Sequence, residues 1–96
     1  PLNPDTRDCL QRVIVESVRN AVRHSRASAI QIEVSFAGDT LTARVSDNGR
    51  GFDMSQPARS NSFGIRGMHE RATAAGAALN CDSGPQGTTI SLICPT

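Results

Sequence analysis

Apolar residues recur along the chain first with a helical period and then with a period of two, and this change of rhythm lays out the elements. After a leader from Pro1 to Asp5, Leu10, Val13, Ile14, Ser17/Val18 and Ala21 fall at helical spacing. They predict one long amphipathic helix reaching His24, with Asp5 or Thr6 as a fitting N-cap. A short polar link, Ser25 to Ser28, leads into Ala29-Ile30-Gln31-Ile32-Glu33-Val34-Ser35-Phe36, which alternates apolar and polar throughout and predicts a half-buried strand. Gly38-Asp39 supply a tight turn into a second strand, Leu41 to Ser46, so the two should form a hairpin. Residues 49–63 hold Gly, Pro, Ser and Asn without periodicity and predict a mobile loop. Phe63-Gly64-Ile65 opens a second helix in which Ile65, Met68, Ala72 and Ala75 share a face, ending at Gly76. A weaker strand, Ala77 to Asp82, a turn at Gly84-Pro85-Gln86-Gly87 and a last strand, Thr88 to Cys94, complete the chain. Strand hairpins with two helices able to cover only one face predict an α+β fold, a two-layer sandwich.

The 96 residues form one domain, with no repeats, low-complexity tracts or second unit. A chain of this size buries roughly 60–65% of the surface its unfolded state exposes. Ten basic against nine acidic residues leave a net charge of +1, which gives no general pull toward nucleic acid or an anionic membrane. No apolar run approaches the ~18 residues that span a bilayer, and no signal peptide opens the chain. Cys9, Cys81 and Cys94 are odd in number and lack metal-like spacing, so they read as reduced thiols of a cytoplasmic domain. With no Trp or Tyr and three Phe, the core must be built from Val, Ile, Leu and Ala. Stacking platforms for single-stranded nucleic acid are correspondingly not expected.

Candidate chemistry concentrates in three places. Asp47-Asn48-Gly49-Arg50-Gly51-Phe52 follows a strand directly. A carboxylate there can accept a hydrogen bond from an exocyclic amine, and glycines let backbone approach a flat ring. The same residues also suit a plain Asn-Gly turn. On the first helix Glu16, Asn20 and His24 are four residues apart and drift only about 80° around the axis, forming a polar stripe at the edge of the apolar sector. Arg23 projects close to Glu16, whereas Arg12 and Arg19 point farther into solvent. The side-chain oxygen of Asn20 is a hard ligand suited to Mg²⁺, Glu16 could order a metal-bound water or a nucleophile, and Arg23 and His24 could meet phosphate charge. A solvated face with an incidental Glu–Asn pair is the plainer alternative. Finally, Phe63-Gly64-Ile65-Arg66-Gly67-Met68 sets two glycines at the mouth of a helix, where exposed amides favour anions. Gly67 inside the first turn costs ~1 kcal/mol relative to Ala, which weakly favours a functional reason. No Gly-x-Gly-x-x-Gly with a crossover and no P-loop ending is present. Gly87-Thr88 precedes the last strand and could bring a hydroxyl to the ring held by Asp47.

Together these motifs resemble the ATP-binding catalytic domain of sensor histidine kinases, in the superfamily that includes gyrase, Hsp90, MutL and bacterial anti-sigma serine kinases. Glu16-x-x-x-Asn20-Ala21-x-x-His24-Ser25 looks like the N box. Asp47-Asn48-Gly49-x-Gly51-Phe52 looks like the first glycine box, and Phe63-Gly64-Ile65-x-Gly67-Met68-x-Glu70-Arg71 like the second. Gly87-Thr88 matches the threonine before the last strand. Order and spacing hold from about Leu10 to Pro95, and the details look most like the NarL/DesK-type kinases.

The resemblance implies a Bergerat (GHKL) fold, a mixed, mostly antiparallel sheet with helices on one face. It implies that Asp47 receives the adenine amino group with Thr88 in support, that Asn20 holds Mg²⁺, and that Glu16 sits by the triphosphate. Arg23 and His24 would lie near the phosphates. Gly49 and Gly51 would line the nucleotide, and Gly64, Ile65, Gly67 and Met68 would contact it from the lid side. Two departures stand out: a short lid, about Asp53 to Phe63, and no phosphoacceptor histidine, since His24 and His69 sit within the N box and the second helix. The start at Pro1 is therefore expected to be that of a fragment of a longer kinase, one that binds ATP without phosphorylating itself. The implied partners are an upstream dimerisation and phosphoacceptor domain and a response regulator, with no direct nucleic acid contact. The full-length protein would be a homodimer, with an inner-membrane anchor outside this cytoplasmic domain left open. An anti-sigma serine kinase is the alternative, and the upstream region would distinguish the two.

Overall fold

A computed structural model describes residues 4–23, 26–49 and 64–95. The helical period at the start of the chain becomes α1, Pro4–Arg23. Asp5 lies in its first turn rather than at its N-cap, favourably placed against the helix dipole, and Arg23 in its last turn complements it at the other end. The alternating segments become β1 (Ile30–Ala37) and β2 (Thr40–Asp47), a hairpin turning at Gly38. The second helix, α2, spans Ile65–Ala74, and a second hairpin of β3 (Ala78–Gly84) and β4 (Gly87–Pro95) ends the chain. The sheet order is β1-β2-β4-β3, and every pairing is antiparallel. Both helices lie on one face, which makes the expected α+β two-layer sandwich. The predicted lid, with Gly51, Phe52 and Phe63, lies outside the described residues, as does His24.

Period-two alternation puts Leu41, Ala43 and Val45 of β2 opposite Cys94, Leu92 and Ile90 of β4, all facing the helices. Cys9 and Val13 of α1 and Ile65, Met68 and Ala72 of α2 close over them. The Ser17 hydroxyl reaches the Met68 sulfur, 3.9 Å away, across the helix–helix contact.

The expectation of a half-buried β1 is corrected. Ile30, Ile32, Val34 and Phe36 do share the helix-facing side, since they pair with Asp47, Val45, Ala43 and Leu41. The helices, however, lie over β2, β4 and β3. Strand β1 is the sheet edge and is exposed along its whole length, Phe36 at 64%.

Candidate functional site

Asp47 is the last residue of β2, and its partner across the sheet is Thr88 of β4. One step earlier on the same face Val45 pairs with Ile90 in the core, so Asp47 and Thr88 form the first polar rung beyond the apolar ones. Asp47 Oδ1 accepts a hydrogen bond from the Gly49 N–H at 2.8 Å, an Asx turn that ties the carboxylate to the start of the loop. Thr88 is only 3% exposed, and its hydroxyl shares a 2.8 Å hydrogen bond with the Ser83 hydroxyl of β3. Gly87 has φ +142°, and a Cβ there would collide with the Asp47 carbonyl oxygen. Only glycine lets the two strands close at this rung. Asp47 also lines a cavity of about 470 Å³ with Asp82, Gln86, Gly87 and Thr89.

The neighbouring residue braces this end of the sheet. Asn48 Oδ1 accepts the N–H groups of Ser28 and Ala29, each at 3.0 Å, and its amide nitrogen donates to Ser28 Oγ at 2.9 Å. The first glycine box is thereby pinned to the link that follows α1.

That link brings α1 to the same end. Cys9, near the helix start, lies within hydrogen-bonding reach of Cys94 at the far end of β4, so α1 runs along the sheet toward the Asp47–Thr88 rung. Asn20, in its last turn, is 2% exposed and belongs to the buried face rather than to its edge. Glu16, one turn earlier, touches the start of α2. A Cβ on Gly64, which caps α2 in a left-handed conformation (φ +71°), would stand 2.5 Å from Glu16 Oε2. Gly67, Ile65 and Met68 follow in the first turn, the latter two buried in the core.

The surroundings of two α1 arginines add to the sequence reading. Arg12 is exposed as expected but also reaches across to α2: its Nε is 3.7 Å from Glu16 Oε1, and its Nη2 would lie 2.7 Å from a Cβ on Gly67. Arg23 lines an apolar concavity with Ile14, Val18, Arg19 and Val22. The reach of Arg12 follows from α1 meeting α2 along the Arg12–Glu16 side, a contact that helical spacing alone does not reveal. Sequence reasoning also passed over Asn48 and Ser83, whose roles depend on the link after α1 and on the β3–β4 register.

The described residues thus offer a carboxylate beside a buried hydroxyl, a buried amide in the last turn of α1, and a helix mouth flanked by an acid. Such a set offers an acceptor for an exocyclic amine, a hard oxygen for a cation and exposed N–H groups for phosphate.

The sequence model of the histidine kinase-, DNA gyrase B- and HSP90-like ATPases matches residues 5–96. The chain belongs to this family. As a histidine kinase-type ATPase domain it has relatives of both kinds, by sequence and by structure. It is 35% identical over 89 residues to the sensor protein VraS of Staphylococcus aureus, covering 92% of this chain and 25% of VraS. The VraS of Staphylococcus haemolyticus matches to the same extent. The histidine kinase domain of the Erythrobacter litoralis blue-light activated kinase EL346 superposes with a TM-score of 0.79 at 25% identity, over 95% of this chain and 48% of that one. The Acinetobacter baumannii kinase AdeS shares the fold at a TM-score of 0.75 and 15% identity. The ATPase domain thus spans a quarter of the length of the VraS proteins. No helix among its described residues is long and apolar enough to cross a membrane.

Proposed function

We propose that this ATP-binding domain holds ATP with Mg²⁺ and presents the γ-phosphoryl group to a histidine on an upstream dimerisation helix of a longer sensor kinase, from which it passes to an aspartate of a response regulator. The observation that carries the reading is the Asp47–Thr88 rung at the end of the sheet toward which α1 brings Asn20. Asp47 Oδ2 would accept the adenine amino group, with the Thr88 hydroxyl, held by Ser83, beside it. Asn20 supplies one amide oxygen, so a cation there would take its other ligands from phosphate and water, as Mg²⁺ prefers. The mouth of α2 at Gly64 and Ile65 would face the phosphates, with Glu16 at its rim. Such a domain contributes positioning and charge neutralisation rather than covalent chemistry.

The resemblance of the N box and second glycine box to NarL/DesK-type kinases supports a homodimeric, two-component signalling context, and the similarity to the sensor protein VraS supports a sensor kinase.

Titration of the chain with a non-hydrolysable ATP analogue, with and without Mg²⁺ and followed residue by residue by NMR, tests the reading. Shifts should centre on Asp47, Gly49, Thr88 and Asn20. Asn20→Ala should weaken binding of the Mg²⁺ complex about tenfold, a loss of ~1.4 kcal/mol, while leaving binding of adenosine unchanged. Equal weakening of both ligands would show that Asn20 does not hold the cation.

A further inference from the structure

Two side chains of α1 occupy the space that the glycines at the start of α2 leave open. The Arg12 guanidinium lies over Gly67 and the Glu16 carboxylate over Gly64, and the two groups face each other at 3.7 Å. They are unequal partners, for the Arg12 side chain is 42% exposed and that of Glu16 only 14%. A loose, half-solvated pair of this kind adds little to stability. What it does set is direction. Glu16 has three free torsions, and a cation fixed on one side of its carboxylate selects among them.

Arg12 is half-solvated but flanked by charge. It lines a concavity with Asp8 and Gln11 of its own helix and with Arg71, which stands one turn beyond Gly67 on α2. Asp8 offers a competing carboxylate one turn before Arg12, but the helix mouth lies in the other direction, toward Glu16. A swing toward the later turns of α2 would meet the like charge of Arg71. In the structure the guanidinium runs across the bare backbone of Gly67, back against Glu16.

We infer that Arg12 is a positioning residue that crosses α2 at Gly67 to hold the Glu16 carboxylate at the mouth of that helix. The inference rests on the proposed function, because the use of Glu16 beside the transferring phosphoryl group belongs to that reading. It gives Gly67 a role that needs no nucleotide contact: it makes room for Arg12.

The test is steady-state autophosphorylation by the full-length protein, with kcat and KM for ATP measured for Arg12→Gln, Arg12→Lys, Gly67→Ala, Glu16→Gln and the Arg12→Gln/Glu16→Gln double variant. Arg12→Gln should lower kcat about tenfold with KM within about twofold, the signature of an interaction needed for transfer rather than for binding. Arg12→Lys, which keeps the charge and the stem, should recover part of that loss. Gly67→Ala leaves Arg12 chemically intact but displaced, so it should lower kcat in the same direction. It also reports on the geometry should Arg12→Gln fold poorly. The double variant should be no slower than Glu16→Gln alone, because Arg12 would act only through that carboxylate. Additive losses in the double variant, a raised KM with unchanged kcat, or wild-type kcat in Gly67→Ala would each overturn the inference. Failure of the nucleotide reading itself would be seen separately, as undiminished ATP-analogue binding by an Asp47→Asn chain.

Discussion

Replacing Asp47 with asparagine should leave the fold standing and take nucleotide binding away. The carbonyl oxygen of an asparagine can still accept the Gly49 N–H, so the Asx turn at the end of β2 survives. The other side-chain position then becomes an NH₂ group, which faces the adenine amine donor to donor. A charge-assisted hydrogen bond is lost and two donors are left opposed, together a cost of about 3 kcal/mol or more in affinity. That corresponds to a fall of at least about a hundredfold. Calorimetric titration with an ATP analogue measures it, and the melting temperature measured alongside should move by only a few degrees. Asp47→Ala removes the turn acceptor as well, so it should lose both binding and some stability. Wild-type affinity in the asparagine variant would remove Asp47 from the adenine site.

The largest effect on stability is expected at Gly87. Its φ of +142° lies in a region open almost only to glycine, and an added methyl group would run into the Asp47 carbonyl oxygen. Backbone is the obstacle, so no side chain can swing aside to relieve it. Gly87→Ala must either force β4 away from β2 at its first rung or abandon the pairing of Asp47 with Thr88. A cost of about 3 kcal/mol would lower the melting temperature of a domain this size by more than about 10 °C. Thermal unfolding followed by circular dichroism reads this directly. Because the same displacement moves Asp47, nucleotide affinity should fall with it. A variant that melts within about 2 °C of the parent would show that the rung tolerates a side chain.

Much of the architecture was legible in the chain because it rests on periodicity. Leu41, Ala43 and Val45 alternate toward the core, and so do Ile90 and Leu92; both strands follow from that alone. The two helices were legible from Val13, Ala21, Ile65, Met68 and Ala72. What periodicity does not contain is the identity of the opposing layer. The alternation in β1 marks an apolar side, yet nothing in it says that the helices lie over β2, β4 and β3 instead. The same gap explains Arg12. A helical wheel places it outside, and only the approach of α2 along that side turns it into a partner of Glu16 and Gly67. For the site, the strand-end carboxylate and the threonine before the last strand were readable as candidates. That they share one rung depends on a β2–β4 register joining segments some forty residues apart, which local sequence does not specify. Ser83, which fixes the Thr88 hydroxyl, was silent for the same reason.

The sealed sulfur atoms of this domain make a built-in clock for its opening. Burial pushes the Cys9 thiol up to about 11, helped by the neighbouring Cys94, and pushes Cys81 up to about 11 with Asp82 and Asp47 adding to the effect. Only about one Cys9 thiol in a thousand would be ionised at pH 8, and an alkylating reagent attacks the ionised form. Cys9 and Cys94 are also wholly inaccessible, one joined to the first helix and the other to the last strand. Alkylation of either, counted by mass spectrometry, should therefore advance only as fast as those two elements part. Rapid modification of both in the folded chain would contradict this. Since the folded state holds its thiols above their ordinary value, their contribution to stability is complete below about pH 9 and drains away as the pH climbs toward about 11. Alkali should thus speed the clock.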